Sequence, residues 1–180
     1  ITPEQLIGAV RKAGYDAHGI GDFFGRMQQA GRVYENNAPV YMRSHPLTVD
    51  RITDMESRAQ NASYRQVADS LDFHLVRAKL RVQAGTPGEA VSEFGRQLRE
   101  KKYVSEAATR YGLAYALLKT KDVAAAQKEV DALLALKLSS PMIAGLAAET
   151  RAAAGDRTGA LNIYRNALQR YPQSKALVYA

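Results

Sequence analysis

The chain has 180 residues, with 25 Lys and Arg against 18 Asp and Glu, a net charge of +7, 46% apolar residues, and neither Cys nor Trp. That length builds one sizeable core or two small ones. The lack of Cys removes thiolate catalysis, Cys-ligated zinc and disulfide scaffolding, and no apolar run is long enough to span a bilayer.

The three histidines, His18, His45 and His74, form no ligand pair at helical spacing, so no self-contained metal site is expected. Ile1-Thr2-Pro3 does not open a charged-then-apolar leader, and any targeting signal is expected upstream. Basic residues are interleaved with acids, as in Arg96, Arg99, Glu100, Lys101 and Lys102. This reads as solvated helix faces, and no nucleic-acid partner is expected.

Apolar residues recur at helical spacing and nowhere alternate for long, which predicts an all-α protein. A first helix is expected from Pro3, with Thr2 as its N-cap, burying Leu6, Ile7 and Val10 and ending at Gly14. A second runs from about His18 to Ala30, with Ile20, Phe23, Phe24 and Met27 as its apolar stripe. Between Gly31 and Pro46, Asn36, Asn37 and Pro39 break any helical pattern. A third helix is expected from about Pro46 to Asn61, burying Val49, Ile52, Met55 and Ala59.

From about Ser70 the texture changes to Ala-rich helices of similar length separated by short turns. Residues 84–90, 120–126 and 154–160 align, and their closing alanines, Ala90, Ala126 and Ala160, are 36 and 34 residues apart. A period near 34 is the tetratricopeptide spacing, that of a stacked helical hairpin. Each unit has a small residue where its helices cross (Ala78, Ala114, Ala148) and another on its second helix (Ala90, Ala126, Ala160). Four residues on comes a bulky side chain, Phe94, Val130 or Tyr164, able to fill the gap to the neighbouring unit. The third unit, closing with Ala167 and Pro172, fits the pattern best. The first is weaker, with Gln97 where a small residue is usual, and the Trp common early in the first helix is absent throughout. The expected architecture is therefore an all-α, tetratricopeptide-like helical-hairpin solenoid over 63–180, with units of about 71–106, 107–140 and 141–174, preceded by a small helical region over 1–62.

Such a stack presents a surface lined by its first helices, suited to an extended peptide or a partner helix. The register places Leu75, Lys79, Tyr111, Tyr115, Lys119, Met142 and Glu149 on it. Tyr111 and Tyr115, four residues apart on one helix face, read equally well as packing between repeats. Tetratricopeptide domains that clamp a chain-terminal carboxylate use Lys and Asn at set first-helix positions. Here those positions hold Leu75, Lys79, Gly112, Met142 and Leu146, so such a clamp is not expected.

The sharpest local motif lies before the repeats: Arg43-Ser44-His45-Pro46-Leu47-Thr48-Val49-Asp50-Arg51. It is preceded by Ala13-Gly14-Tyr15-Asp16, Phe23-Phe24 and Met27-Gln28-Gln29, and followed by Leu71-Asp72-Phe73-His74-Leu75. In that joint order the chain resembles the part following the active-site helices in bacterial zinc metallopeptidases of the HtpX and CAAX-protease superfamily. Within it, the likeness is to the periplasmic branch with C-terminal tetratricopeptide repeats, the beta-barrel assembly-enhancing protease type. The resemblance implies that 1–62 is the C-terminal remnant of a peptidase domain, that the complete protein is a periplasmic zinc-dependent protease, and that its partners are the outer-membrane protein assembly machinery and unfolded clients.

The sequence also departs from that family. It has no H-E-x-x-H, so two zinc ligands and the general base are missing, and the neighbours of Glu4 do not match those of the family's third ligand. The chain is expected to begin after the catalytic centre, to hold no cofactor of its own and to be inactive alone, with zinc bound only in the complete enzyme. The resemblance places His45 and Arg51 beside the active-site cleft of that enzyme. There His45 would contact zinc or the substrate backbone as a restraint, or would simply cap the helix beginning at Pro46 while Arg51 ties the loop down. His18 and His74 read as surface or packing residues. A non-enzymatic tetratricopeptide adaptor for complex assembly is the alternative function.

Overall fold

The structure, a computed structural model, describes residues 2–33, 49–60, 62 and 64–178. All regular secondary structure among the described residues is helical, as the hydropathy pattern predicts, and the chain divides into two compact units, Ile1–Ala68 and Asp69–Ala180.

In the first unit, α1 (Pro3–Lys12) opens with a reciprocal cap: the Thr2 hydroxyl accepts the Gln5 N–H, and the Gln5 side-chain oxygen accepts the Thr2 N–H. Gly14, at φ +87°, turns the chain away after its end. α2 spans Gly19–Val33 and α3 spans Val49–Ala59. α2 runs past the expected end at Ala30, because a Gly inside a helix costs only about 1 kcal/mol relative to Ala and does not stop it. Ala17, Ile20, Met55 and Ala59 form the core, with Leu6, Ile7, Val10 and Phe24 packed against it. Phe23, expected in the buried stripe, is instead 57% exposed. Successive helical residues point about 100° apart, so Phe23 and Phe24 cannot both face one core. Glu4 on α1 pairs with Arg58 on α3, which also holds Asp54. Residues 34–48, including His45 and the expected helix start at Pro46, lie outside the described residues.

The second unit is three helical hairpins and a closing turn. The first hairpin is α4 (Leu71–Ala84) with α5 (Pro87–Glu100), the second α6 (Glu106–Lys119) with α7 (Val123–Ala135), and the third α8 (Pro141–Ala153) with α9 (Arg157–Arg170), followed by α10 (Lys175–Val178). Each first helix is capped by a serine, Ser70, Ser105 or Ser140, spaced 35 residues apart, whose hydroxyl accepts an N–H of the first turn. The second helices are capped by Thr86, Asp122 and Asp156. The second and third hairpins turn identically: Lys121 (φ 65°) and Gly155 (φ +88°) are left-handed, and the Asp after each has φ −84° and ψ 73°. The first hairpin instead closes through extended Gly85 and a capping box between Thr86 and Glu89, followed by Pro87.

The six crossing alanines, Ala78, Ala90, Ala114, Ala126, Ala148 and Ala160, are all buried, as are Phe94 and Val130. α6 packs against α4, α5, α7 and α8, and every residue from Tyr111 to Leu117 is buried. Such a helix must be small or apolar all round. Gly112 is the tightest point, since a Cβ there would lie 2.6–2.9 Å from the Phe94 ring carbons. The Ser140 hydroxyl donates to Asp72 at 2.7 Å, tying the start of α8 to α4 across the stack. No described helix is long and apolar enough to cross a membrane.

Two substitutions test this packing. Gly112→Ala gains about 1 kcal/mol of helix propensity but forces the Phe94 ring out of its seat, for a net loss of about 1–2 kcal/mol, read as a lower midpoint in thermal unfolding. Lys121→Gly relieves the left-handed strain at some cost in unfolded-chain entropy and should raise stability by about 0.5–1 kcal/mol in the same measurement.

Candidate functional site

The face lined by the first helices is built around one aromatic pair. Tyr111 and Tyr115, one turn apart on α6, stack with ring centroids 6.4 Å apart and planes 14° from parallel. They are 3% and 6% exposed, so they form a floor rather than projecting sites. Alanines at the crossings let α4 and α8 close over the flanks of α6, which is why large rings end up covered.

Above that floor stand two ammonium groups from different helices. Lys79 Nζ of α4 lies 5.3 Å from the Tyr115 ring centroid, and Lys119 Nζ, at the last turn of α6, lies 5.1 Å from it. Both distances suit attraction between a cation and an aromatic face. Gln83, one turn beyond Lys79, reaches the Tyr115 hydroxyl at 3.5 Å. On the α8 side the charge reverses. Burial, with the Glu149 carboxylate and Tyr115 adding to it, pushes the Tyr111 hydroxyl well above the usual tyrosine range. Burial followed by Glu149 also raises Tyr164 on α9. The Tyr111 hydroxyl therefore stays neutral, and it bonds to no group among the described residues while keeping contact with solvent.

The structure sorts the sequence-predicted set. Lys79, Tyr111, Tyr115 and Lys119 come together, with Glu149 close enough to act on Tyr111. Met142 is half-buried against the core. Leu75 must be removed from the lining: at 0% exposed it is a core residue, because α4 turns that position into α6 rather than outward. Gln83 and Tyr164 were missed. Gln83 stands four residues after Lys79, the spacing that joins Tyr115 to Lys119, and that periodicity could have found it.

The described histidines sit elsewhere. His18 Nδ1 lies 2.7 Å from Asp16 Oδ1, and hydrogen bonds from the His18 side chain and backbone hold the Asp16 carboxyl below its usual range. His74 packs edge-on to Phe73, 3.8 Å from Asp69. The Glu4 carboxyl is held low by hydrogen bonds from its own backbone N–H and from Thr2, with Arg58 adding to them. Among the described residues no three His, Asp or Glu side chains gather as a metal site, so the residues in view do not fit zinc. Arg51 falls within α3, and its side chain, like His45, is outside the described set. The cluster in view is an aromatic pair with two cations at one end and an acid at the other.

No family model matches the chain. Over 117 residues, 64% of its length, the chain is 33% identical to a Vibrio cholerae protein named "Putative beta-barrel assembly-enhancing protease". The match spans 24% of that protein, so the chain corresponds to about a quarter of its relative.

Alanine at position 111 or 115 is not a clean probe of binding, given this burial. Tyr115→Ala should cost about 3–5 kcal/mol, seen as a large drop in denaturant midpoint. Tyr111→Phe removes only a solvent-touching hydroxyl and should leave that midpoint within about 0.5 kcal/mol.

Proposed function

We propose that this chain is the protein-binding, repeat-bearing part of a zinc-dependent metallopeptidase of the assembly-enhancing type, with the peptidase centre supplied by sequence outside these 180 residues. The observation that carries this reading is the similarity to the Vibrio protein, in a chain whose hairpins bring Lys79, Lys119 and Glu149 around the Tyr111–Tyr115 pair. The groove around that pair holds segments of client protein. The zinc centre, when loaded, supplies peptide-bond hydrolysis, and no described residue of this chain takes part in that step.

By the same reading the complete protein works in the periplasm on outer-membrane protein assembly, its partners being that machinery and misassembled clients. Unit 1 is then the end of the peptidase domain, and His45 and Arg51 stand beside its cleft. The placement in the HtpX and CAAX-protease superfamily belongs to this proposal and rests on the joint order of Gly14-Tyr15-Asp16, Phe23-Phe24, His45-Pro46-Leu47 and the repeats.

Zinc content and chelator-sensitive cleavage of an unfolded protein, measured on the full-length protein beside the 180-residue chain, test the proposal. About one zinc and chelator-sensitive cleavage are expected in the full-length protein, with neither in the shorter chain. If both lack zinc and cleavage, the protein is a non-enzymatic adaptor.

A further inference from the structure

We infer that the Lys79–Tyr115–Lys119 cluster is a subsite for a side-chain carboxylate, so that the groove selects extended client segments carrying Asp or Glu at that point. This rests on the reading of the groove as protein-binding and adds the chemistry of what it takes.

Two basic side chains on the first-helix face lack an acidic partner among the described residues. Some cations of the hairpins meet acids: Arg81 pairs with Glu93 at 2.6 Å, and Arg110 reaches Glu106 and Glu129 at 2.8 Å each. Lys79 and Lys119 have no carboxylate within ion-pair distance among the described residues. They come from different helices yet converge on one ring, each within 5.3 Å of its centroid, which keeps the two charges within about 10 Å of each other. Two like charges around one ring repel, and the ring offsets that only in part. An anion bound beside the pair relieves the repulsion and gains charge-assisted contact.

The geometry also says which carboxylate. A chain-end clamp needs donors for the terminal group at several first-helix positions, and Leu75, Gly112, Met142 and Leu146 offer no polar side chain there. The cations instead stand beside an aromatic floor that continues to Tyr111. That suits a segment passing through, with its acid against Lys79 and Lys119 and its neighbours toward Glu149. Glu149 at the α8 side sets the direction, since it repels a second acid at that end.

The test uses the 180-residue chain and three dye-labelled, N-acetylated twelve-residue peptides of alternating Ser and Tyr, followed by fluorescence anisotropy in 50 mM and 300 mM NaCl. One has two central Glu residues and an amidated end, the second Gln in their place, and the third Gln with a free C-terminal carboxylate. The Glu peptide should bind about tenfold or more tightly than either Gln peptide, and the advantage should shrink at 300 mM NaCl. Lys79→Gln with Lys119→Gln should abolish that advantage, while Lys79→Arg with Lys119→Arg should retain most of it. Circular dichroism should show unchanged helicity in both, since neither residue is fully buried. Equal binding of all three peptides, or a preference that survives the Gln pair, overturns the carboxylate subsite and leaves groove binding standing. Tighter binding of the free-carboxylate peptide overturns it in favour of an end clamp. No binding by any peptide overturns both the subsite and the protein-binding groove.

Discussion

The seat of the Phe94 ring against Gly112 fixes how close α5 and α6 lie, and much of the stack follows from that approach. Any side chain at 112 would hold α6 away from the first hairpin. The same logic recurs more gently along the chain, where buried alanines at each crossing let successive helices meet backbone to backbone. Close packing between neighbouring hairpins, tightest at Phe94 and Gly112, makes the short hairpins one core, since no hairpin of this length buries enough apolar surface alone.

That close approach decides the character of the groove. Because α6 is packed against four helices, the rings of Tyr111 and Tyr115 are parts of the core and the floor beneath Lys79 and Lys119 at once. Side chains that can respond to a ligand without unfolding the stack are therefore those above the floor: Lys79, Gln83, Lys119 and Glu149. Packing and exposed charge are divided by depth. Rigid rings lie beneath flexible charged stems, so the apolar part is preformed and only the stems are free to move.

The sequence was most legible where one residue type has one physical use. Crossing alanines and the 34–36 residue period located the hairpins because small size and tight turns have few substitutes. Pro3 behind Thr2 placed the first helix for the same reason. Legibility failed where a helical face had to be chosen among adjacent apolar residues. Phe23 and Phe24 look alike in sequence, and only packing against α3 decides that Phe24 turns inward. Leu75 was misplaced because a residue at the edge between the packed and open faces of α4 has no local signal, and its burial is set by how near α6 comes. The groove's charges were legible singly, but that Lys79 and Lys119 converge on one ring depends on the angle between α4 and α6. The pairing of distant units, as in Ser140 with Asp72, lies beyond periodicity altogether.

The basic character of the chain takes on a different meaning once the ion pairs are placed. A net charge of +7 invites a search for a polyanionic partner, and part of the basic charge is taken up inside the hairpins: Arg81 and Arg110 bind helices to one another, and Arg151 lies 3.7 Å from the Asp156 that caps α9. Charge spent on holding hairpins together is screened from long-range attraction and contributes little to binding a phosphate backbone. Around the Tyr111–Tyr115 pair the charge is small, local and directional, two ammoniums on the α4–α6 side opposed by a carboxylate on α8. A field of that size acts over the span of a few residues rather than along a uniformly charged polymer.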